Sequence, residues 1–243
     1  MRYLKFKDFF TMLNLFLAFY AVVLVFDGKI EIASSLILIN ALVLDILDGM
    51  VARATKTSNL FGKHFDSITD FFGSSMIIPF FLYFVLKDYN RPFAIFGAFL
   101  PLVVGVLREI QNRIEDVKVK GFFIGFPRSS AGVVLIAFIN TRLIVELHQY
   151  WLVLLMTLYL SYTQLSHTPY VGNDKPMLMK IPRMKFYLLT GLVLLIGLSL
   201  IGYFWEAIVV FMGFYLLSSH IIIEKSVWED VKRQVKAMQI NIK

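Results

Sequence analysis

The sequence predicts an all-α integral membrane protein of eight transmembrane helices, with both termini in the cytoplasm. Three observations carry that reading. Hydrophobic residues make up 58% of the 243, and 24 are phenylalanine; a water-soluble domain of this size does not accommodate so much apolar surface. Apolar runs long enough to cross a hydrocarbon core of about 30 Å recur along the whole chain. Finally, 20 of the 24 lysines and arginines fall at the termini and in alternate connections. The positive-inside rule makes that side cytoplasmic.

The spans follow in order. The first, 8–27, continues from MRYLKFKDFF without a small-residue cleavage site and reads as a retained helix rather than a removed signal. The next are 30–52, 66–86 and 92–113, and spans two to four are polar at one end only, as suits helices that project beyond the bilayer. The second half supplies 128–146, 149–166, 184–204 and 206–224. The short connections DGKI, KDYNRP, TRLIVELHQ and YFWE lie outside and hold only Lys29, Lys87, Arg91 and Arg142. Residues 1–224 are thus expected to form a single transmembrane domain. The tail 225–243 reads as a cytoplasmic amphipathic helix with a basic face. The net charge of +7 is assigned to topology and contact with membrane-lipid phosphates, with no nucleic-acid partner. The chain has no cysteine, which excludes disulfides, a thiolate nucleophile and cysteine metal sites.

Against this apolar background, LDILDGMVARATKTSNLFGKHFDSITD is unusually polar. Asp45 and Asp48 are three residues apart and share a helix face; Asp66 and Asp70, four apart, share one on the next span. Four carboxylates converging from two helices repel one another unless they are protonated or hold cations. Hard oxygen ligands suit Mg²⁺ or Mn²⁺, with Ca²⁺ also able to occupy such a site, and four charges match two ions. Gly49 and Ala52 leave room for an extended ligand. Arg53 presents a fork suited to phosphate oxygens, and Gly62, preceding the third span, frees backbone N–H groups for an anion. Together these describe a pyrophosphate site with two metals. An EF-hand is excluded because the alternating oxygen ligands are missing. A cation transporter would distribute its acidic groups through the depth of the membrane, whereas these gather at one surface.

The run Asp45-x2-Asp48-Gly49-x2-Ala52-Arg53-x8-Gly62-x3-Asp66-x3-Asp70 resembles the full signature of the CDP-alcohol phosphotransferases. That resemblance implies a membrane enzyme that moves a phosphoryl-alcohol unit from a CDP-linked donor to a second alcohol and releases CMP. It implies that the four aspartates hold two metal ions, with Asp70 also the base, and that Gly49, Ala52, Arg53 and Gly62 bind the CDP part. FTMLNLFLAF, HFDSITDFFGSSMIIP and GFFIGFPRSSAG are similar to segments of the phosphatidylserine synthase branch, which includes archaeal enzymes acting on CDP-archaeol. Thr11 and Asn14 then become nucleotide contacts. The chain departs from the branch at LREIQNRI, where LRLARFN is usual: Arg108 is kept and its neighbours are not.

The expected reaction is transfer of a phosphatidyl or archaetidyl group to the hydroxyl of L-serine. Inositol phosphate or glycerol 3-phosphate is the alternative acceptor. A serine carboxylate needs a cation, and Arg108, Lys118, Lys120 and Arg128 are the candidates, Arg108 and Arg128 preferred because they lie within or against spans. Asn40 and Asn140 read as interhelical hydrogen-bonders. The enzyme is expected in the cell membrane with its site facing the cytoplasm, and the resemblance implies a homodimer.

Overall fold

The structure is a computed structural model, and it describes residues 6–41, 60–115, 117, 119, 121–172 and 182–241. Asp45, Asp48, Gly49, Ala52, Arg53, Lys118 and Lys120 lie outside the described residues.

The chain is almost entirely helical. Helix α1 (Phe6–Phe26) turns into α2 (Ile30–Ile39) through Gly28, whose φ of 76° is the left-handed conformation that glycine adopts without strain. There Gly28 N–H bonds Val25 O at 3.0 Å and Lys29 N–H bonds Leu24 O at 2.9 Å, so the last carbonyls of α1 are satisfied. The same paired pattern recurs at Gly202 (φ 86°), where Tyr203 N–H reaches Leu198 O at 2.8 Å. It joins α9 (Pro182–Leu200) to α10 (Phe204–Ile221).

The third predicted span is not one regular helix. Helix α3 (Leu60–Phe71) passes into a π-helical turn at Phe72–Met76, and α4 (Ile78–Leu86) continues from there. Pro79 sits in the first turn of α4, where its missing N–H costs nothing. Helix α5 (Arg91–Ile114) starts on Asn90, whose side chain accepts from Phe93 N–H at 3.0 Å. Gly105 of α5 lies against the π turn, where a Cβ would come within 2.5 Å of the Ser75 side chain.

Helix α6 (Arg128–Ile139) is the centre of the molecule. Every residue from Ala131 to Ile139 is buried, and α6 packs against α2, α4, the π turn, α8 (Trp151–Leu165) and α10. A helix apolar all round belongs inside a bundle. It stops earlier than the sequence predicts. Asn140 closes it by donating to Ile136 O at 2.7 Å and to Ser34 Oγ of α2 at 2.8 Å, and the short helix α7 (Arg142–Val145) follows. Asn140 is thus the interhelical donor expected of it.

Two short strands, β1 (Phe122–Ile124) and β2 (Pro169–Val171), pair antiparallel with Phe123 opposite Tyr170. The tail helix α11 (Lys225–Asn241) docks through Val231, which is 1% exposed, and through Trp228, whose indole N–H bonds Ser219 O at 3.3 Å.

Among the described residues, three helical segments are long and apolar enough to cross a membrane: Asp8–Phe26, Arg91–Ile114 and Phe204–Ile221. Shorter apolar helices stand at Ile30–Ile39, Arg128–Ile139, Trp151–Leu165 and Leu189–Leu200. Large apolar side chains such as Phe16, Phe19, Phe96, Phe99, Leu189 and Val193 point outward. An outward-facing apolar surface of this kind suits lipid, and the protein reads as membrane-embedded.

Candidate active site

Helix α3 carries Gly62, Asp66 and Asp70 at intervals of four residues, so the three share one face. Gly62 is buried, Asp66 half-buried and Asp70 exposed. Gly62 therefore lies within α3 rather than ahead of it. Among the described residues no group of three or more His, Asp or Glu side chains gathers to hold a metal ion. Asp66 and Asp70 supply two of the four expected carboxylates. Charged oxygens one turn apart on an accessible face are donors of the kind a hard divalent cation takes, so the residues present fit such an ion.

Beside Asp70 is a small cavity of about 80 Å³, lined among others by Asn14, Asn40, Thr69, Gly73, Ser129 and Gly132. Four segments build it: α1 brings Asn14, the end of α2 brings Asn40, α3 and the π turn bring Thr69, Asp70 and Gly73, and α6 brings Ser129 and Gly132. Asn40 Nδ2 donates to the Asn14 backbone carbonyl at 3.0 Å and ties α2 to α1. Asn14 Oδ1, Asn40 Oδ1 and Thr69 Oγ1 are buried and have no hydrogen-bond partner among the described residues. Buried polar atoms left unpaired are costly, so these atoms beside a carboxylate are suited to a ligand that carries donor groups. Thr11, one turn before Asn14, is also buried, at 3% exposure. The sequence pointed to Thr11 and Asn14. It gave Asn40 only a packing role and passed over Thr69 and Ser129. A neutral polar residue adjoining the aspartates was the signal available for Thr69.

Arg108 and Arg128 meet on the far side of α6's N-terminus. They line a common cavity of about 350 Å³ with Asn112, Glu115 and Gly125. Arg108 is 8% exposed and pinned in place: it donates to Gln111 Oε1 at 3.0 Å and to the Ile124 backbone carbonyl. Gln111 in turn donates to Glu115 at 3.0 Å, and Glu115 pairs with His167 at 2.8 Å. Gly125, with φ 75°, allows this close approach; a Cβ there would lie 2.9 Å from the Arg108 guanidinium carbon. Beneath the turn, Phe126 packs on Tyr170, with ring centres 5.2 Å apart. Burial pushes the Tyr170 phenol up to about 12, so it stays neutral at physiological pH. Arg128 pairs with Glu109 at 2.8 Å, and its guanidinium lies 5.6 Å from the centre of the Phe71 ring, next in sequence to Asp70. The two preferred arginines are therefore brought together, one fixed in backbone contacts and the other beside the aspartate helix.

The chain is similar to known membrane-lipid synthases. The chain is 31% identical over 141 residues to a CDP-diacylglycerol–serine O-phosphatidyltransferase of Methanocaldococcus jannaschii, covering 57% of this chain and 63% of that protein. It is 30% identical over 149 residues to an archaetidylserine synthase of Methanothermobacter thermautotrophicus, covering 60% and 62% of the two chains. A CDP-diacylglycerol–serine O-phosphatidyltransferase of Helicobacter pylori is 29% identical over 217 residues, 87% of this chain and 88% of that one. The match thus spans less than two thirds of the length of the two archaeal relatives. Residues 6–217 match the CDP-alcohol phosphatidyltransferase family, a stretch that takes in α1, the aspartate helix α3 and the arginines of α5 and α6, and the chain belongs to that family.

Proposed function

We propose that this protein transfers the phosphatidyl or archaetidyl group of a CDP-linked lipid to the hydroxyl of L-serine and releases CMP. The observation that carries the reading is the face of α3: Asp66 and Asp70 one turn apart, with Asp70 opening onto a small cavity that Asn14 and Thr69 also line. Serine as the acceptor is supported by the names of the relatives, two CDP-diacylglycerol–serine O-phosphatidyltransferases and an archaetidylserine synthase.

Asp45, Asp48, Asp66 and Asp70 would hold two divalent cations, Mg²⁺ or Mn²⁺, whose bound charge offsets that of the pyrophosphate and makes CMP a better leaving group. Gly49, Ala52, Arg53 and Gly62 bind the CDP part, with Thr11 and Asn14 as contacts from α1. Asp70 takes the serine hydroxyl proton as the oxygen attacks the lipid-bearing phosphorus; the new P–O bond forms and the bond to CMP breaks. Most of the barrier reduction in phosphoryl transfer comes from positioning and charge. Arg128 holds the serine carboxylate and Arg108 fixes the turn that positions Arg128, with Lys118 and Lys120 as further candidates for that carboxylate. The site faces the cytoplasm of the cell membrane in an eight-span, homodimeric enzyme.

The test is CMP release by purified protein with CDP-diacylglycerol or CDP-archaeol, Mg²⁺ or Mn²⁺, and serine, inositol phosphate or glycerol 3-phosphate offered separately. Serine-dependent release is expected, falling roughly a hundredfold or more in Asp70→Asn. Release with a phosphorylated acceptor alone would overturn the serine assignment. That second reading draws on Arg108 and Arg128 lining one cavity, two cations of the kind a phosphate requires.

A further inference from the structure

We propose that Glu109 and Arg128 form a reader for an amino-acid zwitterion: Glu109 takes the acceptor's ammonium while Arg128 takes its carboxylate. The inference rests on the serine reading above and deepens it.

Glu109 stands on α5 and Arg128 at the first position of α6, and they meet at 2.8 Å with side chains only 20% and 14% exposed. The pair is half-buried, so its charges are less screened than those of a surface pair. Its place is next to the chemistry. Arg128 lies over Phe71, which follows Asp70, and Ser129 lines the cavity that Asp70 opens onto. Arg113 holds the other oxygen of Glu109 at 2.9 Å and is itself 65% exposed, which fixes the carboxylate from the solvent side. A carboxylate has lone pairs to spare for an ammonium donor, and a guanidinium accommodates a second carboxylate. A zwitterion inserted head to tail between them keeps all four charges paired. A phosphorylated acceptor brings no cation for Glu109 and meets its negative charge, so the same residue that attracts serine repels the rival acceptors.

The experiment compares L-serine with L-glycerate, which has a hydroxyl in place of the ammonium, and with ethanolamine, which lacks the carboxylate. Each is tried as a substrate and as a competitor of serine, using full-length wild type, Glu109→Gln, Glu109→Asp and Arg128→Gln. CDP-lipid binding is measured in parallel to show that each variant is folded. For Glu109→Gln the expected result is a KM for serine raised roughly 10- to 100-fold. Its kcat should change little and its handling of glycerate should be unaltered, with partial rescue in Glu109→Asp. Arg128→Gln should weaken serine and glycerate together and spare ethanolamine. Equal losses for serine and glycerate in Glu109→Gln would reduce Glu109 to a support for Arg128 and overturn the proposal, as would an unchanged KM for serine. If Glu109→Gln fails to bind donor, Glu109→Asp decides: an unchanged serine-to-glycerate ratio overturns the proposal and a lowered ratio supports it. A wild type inert toward serine but active on a phosphorylated acceptor would overturn the serine reading and this inference together. Failure in the variants alone would leave the serine reading standing.

Discussion

At the scale of the residue, the arrangement around Arg108 depends on a single φ angle. Gly125 takes a conformation that L side chains rarely adopt, and a Cβ would press on Gln164 O at 2.5 Å as well as on Arg108. Gly125→Ala is therefore expected to destabilise the protein by about 1–3 kcal/mol and to displace Arg108 from Ile124. Thermal unfolding in detergent and the KM for the acceptor would register the two effects separately, the donor KM staying close to wild type. The stretch GFFIGFPRSSAG drew attention to this segment by resemblance. That Gly125 opens space for an arginine seventeen positions upstream follows only from folding, because the two meet across a turn held by β2.

Among the elements, the π-helical turn after α3 is the most consequential. It adds a residue to the turn following Asp70 and re-aims the chain into α4, and π turns inside helices are frequent at functional sites. Gly105 lets α5 lie against this turn, with Ser75 filling the space a side chain would need. Gly105→Ala should thus overpack the contact and cost about 1–3 kcal/mol. Adding Ser75→Gly should recover part of that loss, a coupling that a double-mutant cycle on thermal stability would measure. The sequence reads residues 66–86 as one span, polar at its first end, because no connecting stretch interrupts it, and hydrophobicity carries no record of a one-residue insertion in hydrogen-bond register. The early end of α6 escaped for a related reason. Apolar residues resume after Asn140 at Leu143, Ile144 and Val145, and the break is made by side-chain hydrogen bonds to Ile136 and Ser34.

For the whole molecule, the charge asymmetry makes a prediction of orientation. The chain has no cysteine, so single cysteines placed at Lys29, Lys87 or Arg142 should react with an impermeant thiol reagent from outside intact cells. Those at Lys63 or Lys225 should react only after the membrane is opened. Labelling of Lys63→Cys from outside would invert the topology and move the aspartates to the other face. What the sequence determined by itself was chemical and periodic: an apolar helical membrane protein, two aspartate pairs at helical spacing, and a signature that placed the chain in its family before any coordinate was known. Periodicity is local, so it assigns faces to helices but not partners to faces. Only the tertiary structure decided that Asn40 and Thr69 share a cavity with Asp70, that α6 is the central helix, and that Glu109 meets Arg128 across nineteen residues of chain. Each of those juxtapositions joins separate elements, and each is fixed by how buried surfaces pack and how buried polar atoms find partners.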